Sequence, residues 1–219
     1  MAATKSGLAK ALDGLQFRLQ PMLKERGFRV RGRTFNCETA DGLIEVVQFQ
    51  MGRFDPPGTY YIPGMRENLY GRFTVNLGVY VPEVALYGGI EAGSFVQEDY
   101  CCVREGLGRL EPPHMNVWWD LHRIEEAASA VGQRLERDAF PFFARFESRD
   151  AILKEWMPLS KSSYSNRPRI ECAIILATRG QRAEALALLS AQAQDVGRTR
   201  HTEYLRDLAR KLGLRELEV

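Results

Sequence analysis

The chain has 219 residues, 45% of them hydrophobic and 26% charged, which excludes a wholly disordered or fibrous protein and leaves enough length for a sizeable core. Thirty Lys plus Arg against 28 Asp plus Glu gives a net charge of +2, too small for a protein whose affinity comes from neutralising many phosphates. No window approaches the apolar length of a membrane span, and MAATKSGLAKALDGL lacks a signal-peptide core, so the expected location is cytoplasmic. Cys37, Cys101, Cys102 and Cys172 lack CxxC spacing and are expected to be reduced.

Leu8, Leu12, Leu15, Leu19 and Leu23 recur at steps of three and four, which predicts an amphipathic helix over residues 5–26. Thr4 or Ser6 suits its N-cap and Gly27 its C′ position, while Pro21 predicts a kink or break. Strands are expected at 34–38 and 43–51, joined by a hairpin at Asp41-Gly42, and at 72–81, where apolar and polar residues alternate. Residues 100–104 and 115–119 are shorter strand candidates. Residues 52–71 form a long loop rich in Pro, Gly, Tyr and Arg, and residues 82–98 a second weakly patterned segment.

Beyond residue 119 the pattern turns helical, with helices expected at 124–138, 141–146 and 150–156 and a polar linker at 161–169. A helix hairpin turning at Arg179-Gly180 follows, then a last helix at 199–212. The hairpin is like half of a tetratricopeptide repeat, but no second copy appears at the expected period, so a repeat array is not expected. The fold class is therefore α+β: an N-terminal helix, an antiparallel sheet of about four to five strands, and a helical C-terminal part containing a helix hairpin. The expected domains are 1–160, and a helical extension at 161–219 packed on the first.

The leucine-rich first helix, GFRVRGRTF, the strand ending VVQFQ, RFTVNLGVYV, CCVREGLGRL and VWWDL together resemble a bacterial family, domain of unknown function 4304, over roughly residues 8–150. The resemblance implies a bacterial origin and an α+β fold. It carries no activity, cofactor or catalytic residue.

Arg29, Arg31 and Arg33 would line one face of an unbroken strand. Phe28 and Val30 differ in parity from Phe35, however, which predicts a bulge or bend at Gly32 that leaves Arg29 and Arg31 together and turns Arg33 away. The charges fit a solvated or ion-paired strand edge, an acidic partner, or weak nucleic-acid binding.

No GxGxxG, Walker loop, HExxH or GxSxG occurs, and no cofactor is expected. His114, Asp120 and His122 have the ligand types of a two-His-one-carboxylate metal site, and Cys101 or Cys102 could act as a nucleophile beside a base. Either would make the protein an enzyme with an unrecognised pocket. The paired carboxylates Glu98-Asp99 and Glu125-Glu126 do not face each other at adjacent positions. Trp118 and Trp119 must point to opposite faces of a strand.

The leading expectation is a non-catalytic binding module that presents Arg53, Tyr60, Tyr61, Arg66 and Tyr70 to a protein partner, with Arg29 and Arg31 as an adjacent positive edge. An immunity-like role is an analogy from scaffold size alone. Nothing in the sequence decides the oligomeric state.

Overall fold

The computed structural model describes residues 6–52, 69–91, 93–160, 168–196 and 200–214. The chain forms two compact units, one from residues 1–80 and 94–144, the other from 81–93 and 145–219.

In the first unit, helix α1 (Gly7–Glu25) starts where Ser6 Oγ accepts the Ala9 amide hydrogen, and it ends at Gly27, whose φ of +88° few other residues tolerate. The expected break at Pro21 does not occur. The amide that Pro21 lacks would have reached the Phe17 carbonyl, and both residues lie on the exposed side of the helix, where losing that bond costs least. Leu12, Leu15, Leu19 and Leu23 form the buried stripe.

Among the described residues six antiparallel strands follow: β1 (Arg29–Arg31), β2 (Thr34–Glu38), β3 (Ile44–Met51), β4 (Arg72–Tyr80), β5 (Val103–Gly106) and β6 (Trp119–Asp120). Their order is β1-β2-β3-β4-β5, with β6 pairing the start of β4. This is the meander expected from the alternating runs, extended by the short β1. Asp41-Gly42 makes the β2–β3 turn, with Gly42 at φ +72°. The two later strands shift: β5 begins at Val103 rather than residue 100, and β6 retains only Trp119 and Asp120.

The predicted bulge at Gly32 is instead a two-residue hairpin turn. Arg31 pairs with Thr34 and Val30 with Phe35, so the turn itself reverses the parity that had seemed to need an extra residue. Gly32 takes φ +61° in that turn.

The odd-numbered residues Phe35, Val47, Phe49, Phe73, Val75, Leu77 and Val79 make the apolar face, all of them buried. Ring contacts run along it from Phe35 through Phe49 and Phe73 to Trp119. Helix α3 (Ile124–Arg134) packs along α1 and continues through a π-helical turn (Leu135–Ala139) into α4 (Phe140–Ala144), so the two helices expected here are one interrupted rod. Phe143 meets Phe28, and the Arg26 guanidinium lies 4.4 Å over the Phe140 ring.

The second unit is helical. Within the stretch read as a loop, residues 82–98, lies α2 (Pro82–Tyr87), with proline in the first turn, where its missing amide hydrogen costs nothing. Helices α5 (Arg149–Ser160), α6 (Arg169–Thr178), α7 (Arg182–Val196) and α8 (Arg200–Lys211) complete it. α6 and α7 form the expected hairpin, with Gly180 at φ +84° in its turn. Arg149 joins α5 to α2 through both oxygens of Glu83. Arg169 is buried and pairs with Asp195 of α7.

Candidate functional site

The face that carries the even-numbered residues of β2 to β5, and Arg29 and Arg31 of β1, is mostly polar. Cross-strand partners share a face, so the rows Arg31–Thr34–Gln48–Asn76–Gly106 and Arg29–Asn36–Val46–Gly78–Arg104 both lie on it, with Gln50 and Thr74 beside them. A face of this kind is ordinarily a solvated one, yet Thr34, Asn36 and Thr74 are buried.

The segment 94–101 accounts for Thr34 and Asn36. Asn36 Nδ2 donates to Val96 O at 2.9 Å and Asn36 Oδ1 accepts from Val96 N at 2.7 Å. Gln97 Oε1 accepts from Thr34 Oγ1 at 3.0 Å and from Gln48 Nε2 at 3.2 Å. Glu98 is 5% exposed and takes both forks of Arg104, at 2.7 and 3.0 Å. Gly78 makes room for this layer, since a Cβ there would lie 2.6 Å from Cys101 Sγ. The sheet face thus already holds a peptide backbone, an amide and a carboxylate of its own chain.

Beyond this layer Val46 and Thr74 are also buried, and Gln48 and Asn76 are half-buried. Gln50 is exposed and accepts from Asn76 Nδ2 at 2.6 Å; Arg29 and Arg31 are exposed at the β1 edge. Several arginines of this unit are compensated: Arg18 pairs with Glu125, Arg33 with Asp13, Arg109 with Glu105, Arg123 with Glu126, and Arg134 and Arg137 with Glu111, while Arg26 lies over the Phe140 ring. Among the described residues, no carboxylate pairs with Arg29 or Arg31. Arg33, the third member of the motif, turns from the sheet to Asp13 Oδ1 at 3.0 Å and to the Ala9 carbonyl, locking the hairpin onto α1 together with the Gln16 bond to Gly32 O.

Arg53, Tyr60, Tyr61 and Arg66 lie outside the described residues. Tyr70 is exposed at the start of the turn into β4.

Asp120 and His114 are each bonded to backbone groups. Asp120 Oδ1 accepts the His122 amide hydrogen at 2.8 Å, capping a short 3₁₀ turn. The His114 ring donates from Nδ1 to Arg109 O at 2.8 Å. Among the described residues, no group of three His, Cys, Asp or Glu could hold a metal ion. Burial raises the Cys37 and Cys101 thiols above their ordinary range and pushes Cys172 up to about 12, so none of these three is a thiolate at neutral pH. Glu98, Glu125 and Glu126 each hold an arginine rather than a second carboxylate. Trp119 is buried against Phe73, with ring centroids 5.7 Å apart, and Trp118 is half-buried.

Sequence reasoning missed Thr34, Asn36, Gln48, Gln50, Asn76 and Arg104 as members of one surface. The available signal was the polar phase of VVQFQ and TVN, but only strand pairing places those residues side by side. Fold and face together define a two-unit α+β protein whose sheet carries an arginine-edged polar surface. No family model, curated protein or solved structure matches the chain. No helix among the described residues is long and apolar enough to cross a membrane.

Proposed function

We propose that the α+β unit is a non-catalytic binding module for a protein partner that carries acidic side chains, acting in the cytoplasm. The observation that carries this reading is the pair Arg29 and Arg31, exposed on the same face as Gln50 and Asn76 and without a carboxylate partner among the described residues, in a unit where several other arginines have one. Arginine forks suit carboxylates, and exposed side-chain amides supply both donors and acceptors. The Tyr- and Arg-rich segment with Arg53, Tyr60, Tyr61 and Arg66, together with Tyr70, supports the same reading by composition.

The resemblance to domain of unknown function 4304 adds a bacterial setting and leaves the partner open; an immunity-like role remains an analogy. Nucleic acid fits less well, because the net charge is only +2.

The test is affinity capture from a bacterial lysate with the wild-type chain, an Arg29→Ser/Arg31→Ser variant and a Tyr60→Ala/Tyr61→Ala variant. A protein retained by the wild type and lost from the folded variants is the expected result. An identical set of captured proteins for all three would overturn the reading.

A further inference from the structure

We propose that the outer edge of β1 accepts an added strand: an extended segment of the partner protein whose alternate residues are acidic and pair with Arg29 and Arg31. The inference rests on the acidic-partner reading and gives that partner a backbone conformation and a sequence pattern.

Among the described residues the sheet order ends at β1, which pairs with β2. Among the described residues, no other segment makes a backbone hydrogen bond to Arg29, Val30 or Arg31. Arg29 and Arg31 bond to β2, so Val30 presents its N–H and C=O outward, a short template for an incoming extended chain.

Side chains select the occupant. Arg29 and Arg31 lie two residues apart on one face, so carboxylates two residues apart on an added strand meet both of them at cross-strand distance. Val30 lies between them on the apolar side, paired with Phe35, and favours a small apolar or hydroxylated residue between the acids. A second copy of this chain is the wrong occupant. Antiparallel pairing of two β1 edges about Val30 sets Arg29 against Arg31 twice, and like charges directly opposite are destabilising.

The chain's own chemistry offers a precedent on the same sheet: Asn36 holds the Val96 backbone and Arg104 holds the Glu98 carboxylate with both forks. Asn36, Thr34, Gln48 and Arg104 together fix three consecutive residues there. The β1 edge offers two arginines and, between them, the outward N–H and C=O of Val30.

The test measures binding of short fluorescein-labelled peptides to the full chain at low ionic strength by anisotropy. One peptide alternates glutamate with threonine. A second has the same composition with its glutamates contiguous, and a third is the alternating peptide with N-methylated backbone amides on the edge that would face β1. The expected result is binding of the alternating peptide, weakened about tenfold or more by N-methylation, as the loss of backbone hydrogen bonds requires. Arg29→Gln/Arg31→Gln should abolish binding, while circular dichroism and the urea midpoint stay unchanged. Equal affinity for all three peptides would overturn strand addition and leave the acidic-partner reading standing. Absence of binding to every acidic peptide would overturn both. Binding that survives the double Gln variant would move the site away from β1 and overturn the inference.

Discussion

The Asn36 carboxamide grips the Val96 peptide at both ends, donating to its carbonyl at 2.9 Å and accepting from its amide at 2.7 Å. Sixty residues of sequence separate the two, and the contact is buried. Through it, a polar strand position becomes the anchor of a covering segment.

Replacing Asn36 with Ala therefore strands the Val96 N–H and C=O in a buried place. The expected cost is about 1–3 kcal/mol, measured as a shift of the urea midpoint at unchanged slope. Asn36→Asp keeps the acceptor, loses the donor and adds a charge, so it should cost at least as much. An unaltered midpoint for both variants would mean that the covering segment contributes nothing to stability.

The three arginines of GFRVRGRTF should separate in a stability scan. Arg33→Ala removes a half-buried pair with Asp13 and should cost about 1 kcal/mol, and a double-mutant cycle with Asp13→Ala should recover most of it as coupling. Arg29→Ala and Arg31→Ala should stay within roughly 0.5 kcal/mol of the wild type. A large loss at Arg29 or Arg31 would assign them a structural role instead of a binding one.

Gly78→Ala places a Cβ 2.6 Å from Cys101 Sγ and 2.7 Å from Cys101 Cβ. Overpacking of this kind costs about 1–3 kcal/mol. The second variant, Gly78→Ala with Cys101→Ala, removes the sulfur but not the Cβ, so thermal unfolding should report only partial recovery.

Pro21 sits inside an unbroken helix with its side chain exposed. Pro21→Ala restores the amide hydrogen that the Phe17 carbonyl lacks and should raise stability by about 1–3 kcal/mol, less than the full helix-propensity difference because the proline also restricts the unfolded chain. A neutral or lower midpoint would argue that the ring itself is packed.

Cys172 predicts a pH window. Burial raises its thiol from 9.0 to about 12 in the folded chain, so between those values the unfolded chain gives up a proton that the folded chain keeps. Its contribution is intact below pH 9 and declines as pH rises toward 12. Urea unfolding at pH 8 and pH 10.5 should show the wild type losing more stability than Cys172→Ala over that interval; parallel losses would show that the thiol does not titrate as burial requires.

The sequence by itself determined the α+β class, the leucine stripe of α1, the Asp41-Gly42 hairpin, the alternation of β4 and the α6–α7 hairpin. Each of these is written in neighbours a few residues apart: a period near 3.6 or 2, a cap, or a glycine where φ must be positive. The same local rules misplaced what depends on solvent or partners. Local sequence predicts a break at Pro21 because it does not say that Pro21 and Phe17 lie on the exposed side of the helix, and it does not mark α2 because six residues are too few for a clear period. Only the tertiary structure decided the polar face. Strand pairing brought Arg29 and Arg31 beside Asn36 and Thr34, set Gln48 against Asn76, and laid Val96, Gln97 and Glu98 across them. Those relations join residues far apart in the chain, and no local pattern encodes them: a glutamine that will meet water and one that will meet another strand's segment are the same letter.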